Sequence, residues 1–284
     1  GYSEEFTCQD GYDLWIKFIN KSKVEHVEKS LFYYRKHGSS LSTNRTRLLK
    51  TRAEIIKKHT YNLIPKTHKH IAIVPIRGGV SAEIAMAKLD KKTLIEYIVD
   101  QLNKSKLIGE LIISTDSKEI INYTKKINSN IIIRTHLRPI NLSSYTTTVD
   151  EVALSMINDI NIRCETLTFL SIDYPFRETF YIDKAIRLIY LFKTDSVISV
   201  KTLESNIYRH DGHGLKPLPG NRRLKIDRET LYVETGGIHT CSLASLYKNK
   251  TILGETVAHI EVDALCSTSI TNPLISRKLK NEHE

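Results

Sequence analysis

Three short stretches carry side chains suited to phosphate chemistry, and each closes an apolar run. Arg77-Gly78-Gly79 follows the run 71–76, Ser114-Thr115-Asp116 ends the run that begins at Leu111, and Asp173-Tyr174-Pro175 follows the run 167–172. Glycine lets a backbone approach an anion closely, while amide N–H groups and an arginine supply positive charge. A carboxylate at a strand end that faces phosphates suits a hard divalent cation. Each residue also has a plainer use. Arg77 can sit in a surface salt bridge, Asp116 can cap a helix, and Asp173 can form the turn before Pro175. The convergence of three polar strand ends says more than any one of them.

For these ends to meet, the chain must fold as alternating strands and helices. From Ile71 the hydrophobic pattern does alternate. Strands are expected over 71–76, 111–116, 131–133, 167–172, 196–200, 231–233 and 257–262. Helices are expected over 93–104, 117–127 with Ser117 as N-cap, 148–158, 179–192 and 242–247. Such alternation implies a mostly parallel sheet with helices on both faces. Right-handed crossovers then gather the βα loops on one edge, where ligands of open α/β sheets bind. Residues 1–60 have a different character: helix over 11–20, short strands over 24–27 and 31–35, and a basic helix over 45–59. Residues 61–69, polar and interrupted by Pro65, read as a linker. The expected organisation is therefore a small N-terminal piece (1–60), a linker (61–69) and an α/β domain (70–284).

The chain has 284 residues and a net charge of +10. That charge suits anionic ligands or simply a lysine-rich surface. The lysines are scattered, which argues against a nucleic-acid stripe. Cys8, Cys164, Cys241 and Cys266 lie far apart with no metal-ligand spacing, so neither a zinc site nor a disulfide scaffold is expected, and a reducing, cytoplasmic setting fits. No apolar run is long enough for a membrane span.

In chain order, I-A-I-V-P-I-R-G-G, T-L-I-E-Y-I-V, L-I-I-S-T-D-S-K-E-I, L-R-P-I-N-L, L-T-F-L-S-I-D-Y-P-F-R, D-S-V-I-S-V and L-Y-V-E-T-G-G-I resemble the acylneuraminate (CMP-sialic acid) cytidylyltransferase family over roughly residues 70–275. The resemblance implies a three-layer, Rossmann-like nucleotide-diphospho-sugar transferase fold. It implies transfer of CMP from CTP to a sialic-like sugar acid, a magnesium or manganese ion, and a homodimer. Carried over residue by residue, it places Arg77, Gly78, Gly79, Asp116, Arg138 and Pro175 at the nucleotide. Arg177, Arg222, Glu234, Thr235 and Gly236 fall at the acceptor, Arg77 and Asp173 at the chemistry, and Asp173 with Asp263 at the metal.

Several family features are replaced. The family loop R-x-G-S-K becomes Arg77-Gly78-Gly79-Val80-Ser81-Ala82, without its lysine, and Lys88 is only roughly placed for the next cation. Loss of one preorganised phosphate contact costs on the order of 2–4 kcal/mol of transition-state binding. Ser171 stands for a glutamine, and Ser269 and Thr271 stand where the family carries paired metal-binding aspartates. The alternative function is thus a weak or inactive binding module beside a glycosyltransferase. Residues 1–60 bear on this: C-Q-D-G-Y-D-L-W and L-F-Y-Y-R-K-H-G-S-S-L-S are similar to the C-terminal end of family-2 glycosyltransferases, which would give Asp10 and His37 the remnant catalytic positions and suggests an upstream glycosyltransferase domain.

Overall fold

The computed structural model describes residues 1–6, 8–19, 21–25, 27, 29, 31, 44–64, 70–218 and 230–271. In chain order the elements are α1 (Asp10–Ile19), α2 (Arg45–Thr60), β1 (His70–Ile76), α3 (Val80–Met86), β2 (Lys88–Leu89), β3 (Lys92–Thr93), α4 (Leu94–Asn103), β4 (Ile108–Thr115), α5 (Lys118–Thr124), β5 (Ile132–Leu137), α6 (Val149–Asp159), β6 (Thr166–Leu170), α7 (Thr179–Phe192), β7 (Ser196–Thr202), β8 (Ile207–His210), β9 (Leu215–Leu218), β10 (Tyr232–Ser242), α8 (Leu243–Asn249) and β11 (Val257–Glu261).

Seven strands form one sheet in the order β11-β7-β10-β6-β1-β4-β5. All neighbours pair in parallel except β10, which runs antiparallel to both β6 and β7. The expected mostly parallel α/β sheet is therefore present. Strand periodicity builds its two faces. Ala72, Val74 and Ile76 of β1 pack with α2, α4 and α7, whereas Ile71 and Ile73 pack with α6 and α8. Burial on both sides explains why β1 and β4 read as nearly continuous apolar runs.

The helix starts follow side-chain chemistry. Thr93 and Thr148 form capping boxes with Glu96 and Glu151, and Ser117 caps α5 by accepting from the Ile120 amide. Helix α2, capped by Asn44, buries Leu49, Ile55 and Ile56 in the same core as β1 and β4. The Arg187 guanidinium on α7 donates to the Thr60 hydroxyl at 3.0 Å. This helix therefore shares the core of the sheet.

The structure departs from the sequence expectation in three places. Val24, Glu25 and Val27 are irregular and not strand, and residues 32–35 lie outside the described residues. Two apolar side chains without an alternating partner strand do not hold extended backbone. The strand expected at 231–233 is the start of the eleven-residue β10. Its glycines, Gly236 and Gly237, hide the continuity, and its ladder to β7 is irregular between Glu234 and His239. The hairpin β8–β9 was not anticipated either; its turn holds Gly212 and Gly214 at positive φ.

Candidate functional site

The C-terminal ends of β1, β5 and β6 and part of β10 surround a cavity of about 390 Å³. Arg77, Arg138, Asp173, Glu234 and Gly236 line it, together with Ser81, Ser144, Thr147, Thr148, Ser171 and His239. Its size is within the range of small-ligand sites.

The floor is the loop after β1. Gly79 has φ 67° and ψ −134°, a conformation essentially restricted to glycine. It lets the chain turn from β1 straight into α3. The Gly78 amide donates to Asp116 Oδ1 at 2.7 Å, so the loops after β1 and β4 are joined. Asp116 thus braces the loop, and the cap of α5 is Ser117. The Arg77 guanidinium donates to the Ser144 carbonyl at 2.9 Å and stacks over the Tyr145 ring at 4.1 Å. Arg138 is 6% exposed. Its Nη2 donates to the Ser114 carbonyl at 2.8 Å and its Nε to the Ser114 hydroxyl at 3.4 Å. Burial lowers the guanidinium pKa, an effect opposed by Asp116 and reinforced by Arg77. Two guanidiniums and one braced amide loop therefore converge on one cavity, an arrangement that attracts polyanions.

The opposite wall comes from the loop after β6. Burial raises the Asp173 carboxyl above the ordinary aspartate value, while the Ser171 hydroxyl and Arg177 oppose that shift. The Asp173 carbonyl accepts from the Ile270 amide at 2.9 Å, which draws the 268–271 segment beside it. Ser269 and Thr271 of that segment bond each other at 2.7 Å and line a second, wider groove of about 770 Å³ with Arg45, Tyr174 and Lys201. Gly236, at φ 71°, and Gly237 pack against the Tyr174 ring, which also lines that groove.

Other expected residues have different settings. Arg177 is 3% exposed and bridges the Ser171 carbonyl at 2.5 Å and the Gly237 carbonyl at 3.1 Å; burial pulls its pKa down to about 10. It ties β6 to β10 and does not line the cavity. Pro175 is buried, with its carbonyl bound by the Gln101 amide. Thr235 is buried and bonded to the Ser199 hydroxyl at 2.8 Å. Asp263 accepts from the Tyr181 hydroxyl at 3.0 Å and from the Cys266 amide at 2.9 Å, and it does not line the cavity. Asp10 is exposed at the start of α1. Arg222 and His37 lie outside the described residues.

Sequence reasoning missed Ser144, Thr147 and Thr148 as a cavity wall, and also His239. The run of hydroxyl residues was the available signal for the first. His239 sits in the middle of β10, its Nε2 is 3.0 Å from the Ile252 carbonyl, and burial lowers its pKa. It had no signal, because the antiparallel course of β10 brings it there.

Residues 71–210 match the family model described as Cytidylyltransferase. The matched segment carries Arg77, Arg138 and Asp173, which line the cavity, and Asp116, which braces the loop after β1 without lining it. Solved structures share the fold. The 4-diphosphocytidyl-2C-methyl-D-erythritol synthase of Anaerococcus prevotii DSM 20548 superposes with a TM-score of 0.56 at 14% identity, covering 76% of this chain and 97% of that one. A CMP:2-keto-3-deoxy-manno-octonic acid synthetase complexed with CTP gives a TM-score of 0.55 at 11% identity, with 76% and 98% covered. No curated protein sequence matches the chain significantly. Among the described residues no helix is long and apolar enough to cross a membrane.

Proposed function

We propose that this chain transfers CMP from CTP to a sialic-like (nonulosonic) sugar acid, releasing pyrophosphate, as a step in surface-polysaccharide synthesis. The observation that carries the reading is the pairing of Arg77 and Arg138 over the Asp116-braced glycine loop, within the segment that matches the cytidylyltransferase family. In this reaction an acceptor hydroxyl attacks the α-phosphorus, and the bond from the α-phosphorus to the bridging oxygen of the β-phosphate breaks. The proton leaves the hydroxyl and the electron pair leaves with pyrophosphate. Such a transfer needs positioning and charge neutralisation more than covalent help. Arg77 and Arg138 hold the triphosphate oxygens in this reading.

The family implies a divalent cation, and the donor set fits one in part. Magnesium binds through one or two carboxylates together with substrate phosphates. Asp173 offers one carboxylate to the cavity and Glu234 stands on the same wall. Asp263 is committed to Tyr181 and the Cys266 amide. Among the described residues no group of three or more His, Cys, Asp or Glu side chains gathers to hold an ion. Asp173 would therefore hold the ion together with the substrate's phosphates. When bound, the ion would supply neutralisation of charge on the leaving pyrophosphate.

The second reading, a nucleotide-binding module of low turnover, is favoured by specific features. Lys88 is exposed on β2 and does not line the cavity, so it does not replace the absent loop lysine. Hydroxyls, Ser269 and Thr271, occupy the segment beside Asp173.

Pyrophosphate release separates the readings. The full chain is incubated with CTP, magnesium and a panel of nonulosonic and 3-deoxy-octulosonic acids. Acid-dependent release supports transfer. A thermal shift with CTP but no release supports the module, and neither effect contradicts both.

A further inference from the structure

Ser114 of the S-T-D strand end is fully buried, so its hydroxyl is not placed to attack a substrate. Parallel pairing of β4 with β5 sets Ser114 opposite His136. Their side chains share one face, and the His136 Nδ1 lies 3.1 Å from the Ser114 hydroxyl. Beyond the last pair, the Arg138 amide donates to the Thr115 carbonyl at 2.9 Å, which keeps β5 alongside β4 up to the cavity. On the other side of the imidazole, Nε2 lies 3.1 Å from a carboxylate oxygen of Asp159, the last residue of α6. Ser155, one turn earlier, donates its hydroxyl to the same oxygen at 3.2 Å.

With the imidazole neutral, the chemistry of these groups sets the direction of every bond. An ionised carboxylate only accepts, so His136 carries its proton on Nε2. In the neutral ring Nδ1 is then an acceptor, and the Ser114 hydroxyl donates to it. That leaves the Ser114 oxygen lone pairs to the Arg138 Nε–H, while the Ser114 carbonyl takes the Nη2–H. With two of its nitrogens held by one residue, the Arg138 guanidinium plane is set. Its Nη1 has no hydrogen-bond partner among the described residues, and Arg138 lines the cavity.

We propose that Asp159, His136 and Ser114 form a hydrogen-bonded relay that orients the Arg138 guanidinium toward a phosphate in the cavity, with His136 its central positioning residue. The phosphate half rests on the nucleotide reading above; the orienting half does not. Polar groups that merely satisfy one another, here buried Ser114 and His136 with the half-exposed Asp159, would affect stability alone.

Two readouts on the full chain test this. The first is the Nε–H resonance of Arg138 in 1H–15N spectra, assigned by its loss in R138K. It is expected to be protected from exchange in the wild type and in H136N, whose side-chain oxygen takes the place of Nδ1, and unprotected in S114A and H136A. The second is CTP affinity, with Kd rising about tenfold in S114A and in H136A and no further in the double variant, since residues acting through one chain are not additive. H136N recovers most of the loss. Protection that survives in S114A, additive losses, or a lowered Tm with unchanged CTP affinity would overturn the relay. If wild-type protein binds no CTP, the nucleotide reading falls, and the Arg138 resonance still decides the orienting role.

Discussion

The Gly78 amide and the Asp116 carboxylate meet at 2.7 Å, and through that bond the loops after β1 and β4 become one surface. A hydrogen bond to a charged group contributes about 1.5–3 kcal/mol. D116A is expected to lose that much stability in chemical denaturation and to loosen CTP binding. D116N, which still offers an oxygen to Gly78, is expected to lose less of both. Equal losses in the two variants would show that charge, and not the bond, is what matters.

Gly79 is fixed by conformation. At φ 67° and ψ −134° any side chain is strained. G79A is expected to cost about 1–3 kcal/mol, measured by thermal unfolding, and to reduce CTP affinity because the amide loop shifts. An unchanged Tm would mean that the loop adopts another conformation.

Arg77 and Arg138 share a cavity but are held differently. Arg77 stacks on Tyr145 at 4.1 Å, whereas Arg138 is gripped by Ser114. Each alanine variant is expected to lower kcat/KM by about two orders of magnitude, as for loss of a preorganised donor. R77K keeps charge but not the planar stack, so it is expected to recover only part of the loss. Steady-state rates on saturating acceptor read this out.

Asp173 predicts a pH effect on stability. Burial lifts its folded-state pKa above the unfolded value of 3.8. The folded chain therefore holds that proton to higher pH, and stability contributed by this group falls as pH rises from about 4 through the folded value. D173N removes the penalty. It is expected to unfold at a higher temperature than the wild type at pH 7, to match it below about pH 4, and to lose turnover. A lower Tm at pH 7 would show that the carboxylate is stabilised by partners.

How far the sequence foretold this molecule depends on which physics was local. Ser117, Thr93 and Thr148 announce helix starts through their own side chains, and β1 and β4 through continuous apolar runs; these were legible. The cavity was legible where a strand ends in a polar loop, as at Arg77 and Asp173. On the reversed strand, Glu234 and Gly236 were reached only through the family resemblance, and His239 was not reached at all. Nothing local to Gly236 or His239 says that β10 runs between β6 and β7. The burial of Arg177 was equally hidden, because its carbonyl partners, Ser171 just after β6 and Gly237 on β10, are brought together only by the fold. Helix α2 was read as part of a separate piece, since a basic helix shows its charge more plainly than its buried stripe of Leu49, Ile55 and Ile56.

That stripe gives a further prediction. Ile56 is fully buried in the core that α2 shares with α7. I56A is expected to destabilise the whole chain by about 2–5 kcal/mol in a single cooperative transition. A separate early transition confined to the N-terminal helices would show that they fold independently.

The most direct test follows the α-phosphate. Wild-type chain and R77A are incubated with CTP labelled at the α-phosphorus, magnesium and a nonulosonic acid. The account predicts that label moves into a sugar-acid conjugate in the wild type and that transfer falls steeply in R77A. Label that remains in CTP with every acid in the panel, or transfer that R77A leaves unchanged, would contradict it.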